Sequence, residues 1–328
     1  MTSTSHAPAL RSTDLATPSV PMQIRTRKGM AAARPALPDP VVLVPTMGAL
    51  HDGHRSPLRV ARELAGPSGS VLVSIFVNPL QFGPAEDFGR YPRPIEHDLA
   101  VCAEERVTAV FQPDIAQMYP SQPLVTVNPG PAGRLLEGRS RPGFFDGVLT
   151  VVLKLFQLTE PDAAVFGAKD AQQLTLIRRM VADLDLAVQI VEAPLHRDRD
   201  GLAASSRNAY LSAAERAAAL ALPQAVAAAS AAAIRGAGPA VAAARSVLDA
   251  AAAGDPPVHL DYLVLADPDT FAEVGSEHRG AALLLVAAKV GTTRLIDNTR
   301  LQIGASATGS DAGHAGVTGR LHGPGGAA

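Results

Sequence analysis

One cysteine in 328 residues, Cys102, has no partner within the chain, which excludes an intrachain disulfide framework and fits a reducing cytoplasm. Charge of one sign is also missing: 29 Lys and Arg against 31 Asp and Glu give a formal net charge of −2. No basic tract supports binding to nucleic acid through its phosphates, so no such partner is expected. Long apolar runs are scarce. Residues 217–234 carry no formal charge, but they are mostly alanine and are broken by Pro223, Gln224 and Ser230; they read as a soluble alanine-rich helix pair, not a membrane span. Residues 1–22 lack the apolar core of a signal peptide and read as a disordered leader. Residues 304–328 have few large apolar side chains with which to offset their ordering entropy and read as a flexible tail.

What is present is an alternation. Strand-like apolar runs at 41–44, 71–77, 107–111, 163–166 and 188–191 are separated by helical patterns at 58–64, 96–105, 147–158 and 171–184. That order predicts an α/β domain with a parallel sheet and helices on its faces. The texture changes near residue 200. Ser212-Ala213-Ala214-Glu215 makes a capping box for an alanine-rich helix, and a break at 236–239 leads to another. Val258, Leu260, Tyr262 and Val264 then alternate, and an apolar run follows at 281–288. This predicts a smaller α+β domain, with the division at 23–197 and 198–303.

Chemistry-bearing residues follow the strands. His51 and His54 stand in Val44-Pro45-Thr46-Met47-Gly48-Ala49-Leu50-His51-Asp52-Gly53-His54, after the first apolar run, with a helix expected to open at Ser56 and Pro57. The carboxyl ends of parallel strands are where α/β sheets bind ligands, and amides at a helix start favour anions, which makes phosphate the natural candidate. His-x-x-His alone also fits two ordinary structural histidines; a zinc site is disfavoured because no further His or Cys cluster stands nearby. Gly53 is expected to let the backbone approach a ligand closely. Gln81 follows the second run. Gly167-Ala168-Lys169-Asp170 closes the fourth, where Lys169 suits phosphate and Asp170 suits a ribose hydroxyl or a helix cap, although taken alone the segment reads as an ordinary solvated turn. Ser205-Ser206-Arg207-Asn208 at the domain boundary suits a triphosphate, or forms a plain helix cap.

Taken in order, these segments resemble the pantothenate synthetase family, and the similarity continues through Tyr91-Pro92-Arg93, Leu136-Glu137-Gly138, Arg141-Pro142 and Leu295-Ile296-Asp297-Asn298. The resemblance implies a Rossmann-like domain with a smaller α+β C-terminal lid, in a homodimer. It also implies condensation of pantoate with β-alanine through a pantoyl adenylate, using ATP and Mg2+ and releasing AMP and pyrophosphate. His51, His54 and Lys169 would be catalytic. Met47, Gly48, Ala49, Leu50, His51, Asp52, Gly53 and His54 would contact ATP, with Gly167, Ala168, Lys169, Asp170, His196, Ala204, Ser205, Ser206 and Arg207. Gln81, Gln173 and Met47 would hold pantoate and β-alanine, and Asp98 would hold the metal. Arg55, Leu80, His97, Phe144, Ala168, Ala171 and Ala204 depart from the family pattern. These departures leave room for a paralogue acting on another acid or amine, or for a catalytically weak nucleotide-binding protein.

Overall fold

All five apolar runs become neighbouring strands of one sheet in the computed structural model, which describes residues 20–84, 86 and 88–304. Most of the expected leader and tail therefore lies outside the described residues. The six parallel strands are β1 (Met22–Ile24), β2 (Val41–Thr46), β3 (Ser70–Ile75), β4 (Ala109–Phe111), β5 (Ala163–Gly167) and β6 (Gln189–Ala193), in the spatial order β1-β4-β3-β2-β5-β6. Helices cover both faces, so β2 and β3 are apolar on both sides and read as continuous runs instead of alternating ones. β1 was invisible in the sequence because only three residues pair, and only Ile24 among them is buried.

The order of strands fixes where a ligand can enter. From β2 the chain moves outward through β3 and β4, then returns to place β5 on β2's other side. The carboxyl ends of β2 and β5 therefore flank the topological switch point, where a crevice opens in sheets of this kind. The His51 segment leaves β2 and the Lys169 segment leaves β5.

A second sheet is antiparallel and holds β7 (Val258–Ala266), β8 (Gly280–Val290) and β9 (Thr293–Ile303). Helices Ala221–Ala232 and Ala237–Ala252 pack on one face through Leu222, Ala225, Val226, Ala229, Ala240, Ala244 and Leu248. The segment Ala213–Arg235 is long and apolar enough to cross a membrane by composition, yet here its apolar side chains are part of that core. The Ser212 capping box forms: Ser212 Oγ accepts from Glu215 N at 3.2 Å and Glu215 Oε2 accepts from Ser212 N at 2.8 Å.

The alternation expected for β7 fails at one point. A bulge between Leu260 and Tyr262 shifts the register, so Val258 and Leu260 face the alanine-rich helices with Leu263 and Leu265, whereas Tyr262 and Val264 turn to the opposite face. One extra residue exchanges the faces of everything after it. Tyr262 thereby reaches the first domain. Its hydroxyl donates to Glu137 Oε1 at 2.7 Å, and Arg294 of β9 holds the same carboxylate with two bonds of 2.7 and 2.8 Å. Arg294 also donates to Asp261 Oδ2, which accepts from Ser140 Oγ as well.

Glu137 is almost wholly buried in this junction, so removing its cation leaves a desolvated carboxylate with only Tyr262 and no opposite charge. Arg294→Ala is expected to lower stability by roughly 3 kcal/mol, read as a shift in the urea midpoint, while the double change with Glu137→Gln should restore much of it. An Arg294→Ala midpoint equal to that of the parent protein would show that the junction carries no such weight.

Candidate active site

The turn after β2 is built so that two imidazoles face one way. Gly48 has φ +80° and Ala49 φ +52°, a reversal that a side chain at Gly48 would oppose, because a Cβ there would lie 2.8 Å from Asp98 Oδ2. The helix then opens at Asp52, earlier than Ser56, because His51 itself is the N-cap: its Nδ1 accepts from Gly53 N at 3.0 Å. Pro57 consequently falls inside the helix. His54 answers with the reverse contact, its Nδ1 accepting from His51 N at 3.2 Å. An imidazole nitrogen that accepts an amide proton carries none of its own, so in both neutral rings the proton sits on Nε2. The ring centroids are 4.2 Å apart.

Their charge state follows from their surroundings. Burial lowers the His51 pKa to about 4, with the Lys169 charge adding to the effect. Burial, then His51 and Lys169, lower that of His54 to about 3. Both rings are neutral Nε2–H donors at pH 7. An anion bound beside them would favour their charged forms.

Gly53 also has a reason within the protein itself. A Cβ there would fall 2.7 Å from His51 Cε1 and 2.8 Å from Ala204 Cβ; glycine lets the His51 ring fold back and the Ser205 segment approach. His196 and Asp198 also lie close enough to act on His51. The segments after β2, β5 and β6 thus converge.

Between the two domains is a cavity of about 720 Å³ lined by Lys169, Asp170, Gln173, Ser205, Arg207 and Phe144, with further residues from both domains. Ser205 caps the short turn Ser206–Tyr210, its Oγ accepting from Arg207 N, so the cap and a place in the cavity belong to the same side chain. Asp170 makes no side-chain cap bond to the helix that follows it. The ammonium of Lys169 has no hydrogen bond or ion pair among the described residues. Met47, Gln81, His51 and His54 lie outside this lining. Gln81 is held by Asn78, whose Nδ2 donates to Gln81 Oε1 at 3.0 Å, and its own Nε2 points to Met47 Sδ at 3.2 Å. Asn78, fully buried and also bonded to Tyr119 and Gly147, was missed as a site residue. Its signal is its place in Phe76-Val77-Asn78-Pro79-Leu80-Gln81-Phe82-Gly83, the segment that carries Gln81.

Asp98, the residue expected to hold a metal, is engaged with the protein's own backbone. It is buried, and its two carboxylate oxygens accept from Ala49 N at 3.0 Å and Leu50 N at 2.7 Å; burial raises its pKa despite those bonds. Its neighbour His97 meets the other side of the same peptide segment, Nε2 lying 3.0 Å from Leu50 O. Asp98 and His97 therefore brace the histidine turn. Among the described residues no group of three or more His, Cys, Asp or Glu could hold a metal ion.

Several departures from the family pattern have partners of their own. Arg55 points to the neighbouring helix and pairs with Glu104 at 2.7 Å and Glu105 at 2.9 Å. Phe144 lies under Arg141, whose guanidinium carbon is 3.7 Å from the ring centroid and whose nitrogens grip Glu86 through two bonds of 2.6 Å. Ala171 lines the cavity, and the carbonyl of Ala168 accepts from Asn298.

The family model for pantoate-beta-alanine ligase matches residues 22–300. The chain belongs to the pantoate-beta-alanine ligase family. It is 59% identical over 289 residues to the pantothenate synthetase of Thermobifida fusca, covering 86% of this chain and 96% of that relative. Identity to the enzyme of the same name from Acidothermus cellulolyticus is 58% over 283 residues, covering 85% and 91%. Among solved structures, pantothenate synthetase from Thermus thermophilus superposes with a TM-score of 0.78 at 42% identity, covering 85% of this chain and 98% of that one. The ligase of Francisella tularensis, crystallised with beta-gamma ATP and beta-alanine, gives 0.69 at 30% identity, covering 85% and 97%. Membership makes this chain one of the AMP-forming ligases, with a Rossmann-like domain and a smaller C-terminal one.

Depressed imidazole pKa values tie stability to pH in one direction. Between pH 6.5 and about 4 the unfolded chain binds protons at His51 and His54 that the folded chain refuses, so folding stability rises with pH across this window and falls as pH drops through it. Replacing both histidines by asparagine keeps an acceptor near each Nδ1 and removes the titration. The double variant is expected to lose less stability than the parent between pH 6.5 and 4.5 in urea titrations; parallel losses would contradict neutral buried rings.

Proposed function

We propose that this chain joins pantoate to β-alanine, using ATP and passing through a pantoyl adenylate. The observation that carries the proposal is the convergence of two neutral Nε2–H donors and one unpaired ammonium on the crevice between β2 and β5. Those groups suit a displacement at phosphorus, in which the substrate supplies the attacking carboxylate and the protein supplies orientation and charge.

In this reading the triphosphate lies between the His51 turn and the Lys169 and Ser205-Ser206-Arg207 segments. The pantoate carboxylate, held by Gln81 and Gln173 beside Met47, attacks the α-phosphorus, and the bond to pyrophosphate breaks. Negative charge grows on the phosphate oxygens, where His51 and His54 donate through Nε2–H and Lys169 neutralises it. The amine of β-alanine then attacks the acyl carbon, and AMP leaves. Magnesium, implied by the family, would neutralise phosphate charge; an ion of this kind is held largely by the phosphates and one or two carboxylates. Asp170, in the cavity wall and without a side-chain partner among the described residues, is the carboxylate suited to it. We further take the enzyme to be cytoplasmic and a homodimer, with the domains divided at 197.

Pantoate should support exchange of pyrophosphate into ATP with no amine present. His54→Ala or Lys169→Ala should slow that exchange by roughly a hundredfold, the usual effect of losing one preorganised donor to a developing charge. Exchange with a different acid and none with pantoate would move the assignment to another substrate; wild-type rates in both variants would place the chemistry elsewhere.

The dimer has its own test. Leu124 and Val125, 97% and 85% exposed, are the most solvent-exposed large apolar side chains among the described residues, and adjacent apolar exposure of this kind marks contact surfaces. Replacing both by aspartate should halve the mass measured by light scattering, whereas a parent protein that is already a monomer would remove the proposal.

A further inference from the structure

The motif Leu295-Ile296-Asp297-Asn298 lies on β9, in the C-terminal domain, and yet its two polar residues reach back into the first domain's phosphate-facing segments. Asn298, 9% exposed, donates through Nδ2 to Ala168 O at 3.1 Å and to Lys169 O at 2.7 Å. One amide group thus holds two successive carbonyls of the turn that carries Lys169. Asp297, 2% exposed, accepts from Arg197 at 2.7 and 2.9 Å, and Arg197 pairs in a β-bridge with Ala203, next to Ala204 and Ser205. Asp297 Oδ1 also accepts from the backbone N of Asn298 at 2.7 Å, which ties the two side chains' positions together.

The side chain of Lys169 has no hydrogen bond or ion pair among the described residues. With no polar partner of its own, the ammonium takes its position from its backbone, and that backbone turn, 168–170, is a single turn of 3-10 helix with no side-chain cap. The two bonds from Asn298 supply what the cap does not. We propose that Asn298 is a positioning residue for adenylation, acting through Lys169, and that Asp297 sets the distance from that turn to the Ser205 segment across the phosphate-binding space. The C-terminal domain then contributes to the chemistry by fixing the lysine turn, in addition to closing the cavity. This rests on the reading of Lys169 as the charge that neutralises phosphate.

A displaced lysine still attracts ATP but stabilises the transition state less, because misplacement by about 1 Å is enough to lose roughly two orders of magnitude in rate. The test is a double-mutant cycle on pantoate-dependent pyrophosphate exchange, with Asn298→Ala, Lys169→Ala and both together. Asn298→Ala is expected to lower kcat by roughly tenfold to a hundredfold with KM for ATP nearly unchanged, and the double variant to be no slower than Lys169→Ala alone. Asn298→Leu, of similar size and without the donor, should behave as Asn298→Ala does and serves in its place if the smaller residue prevents folding. Wild-type kcat in a folded Asn298 variant, or losses that multiply in the double variant, would overturn the proposal. A normal rate for Lys169→Ala would instead overturn the reading of Lys169 on which it rests.

Discussion

Two backbone amides, those of Gly53 and His51, decide what the paired histidines are. By donating to His51 Nδ1 and His54 Nδ1 they turn both Nε2–H groups outward as donors, and burial beside Lys169 keeps both rings uncharged. A charged pair here would repel one another and the lysine. Neutral rings can stand 4.2 Å apart, close to an ammonium, and still stabilise negative charge when it develops.

The rest of the first domain can be understood as support for that turn. The strand order places the ends of β2 and β5 side by side, Asp98 and His97 hold the Ala49-Leu50 backbone from behind, and Gly53 admits Ala204 at close range. The second domain is fastened to the first through Glu137, Tyr262 and Arg294, through the pair Asp297–Arg197, and through Asn298. All of these fastenings use residues of β9, and the first also depends on the β7 bulge that turns Tyr262 towards Glu137.

The fold was legible where burial left a simple pattern. Five strands of the parallel sheet and the helices between them could be read from continuous apolar runs and their spacing. β1 could not, being three residues long, and β9 could not, because Arg294, Asp297, Asn298 and Arg300 interrupt its apolar residues to make polar contacts. At the site, the motifs named the segments that converge, but not what each residue does within them. The partners of Asp98 are not written in the sequence; two amides from a distant turn donate to it. Gly53 and Asn78 were likewise decided by close approaches from segments far along the chain.

The most direct measurement is the tautomer and charge of the two rings. Nitrogen-15 NMR of histidine-labelled protein, assigned with the His51→Asn and His54→Asn variants, reports the protonation of each ring nitrogen. The account predicts, for both residues, a protonated Nε2 and a bare, hydrogen-bonded Nδ1 at pH 7, unchanged as the pH is lowered to 5 in the absence of ATP. Either ring found protonated on Nδ1, or titrating near pH 6.5, would contradict it.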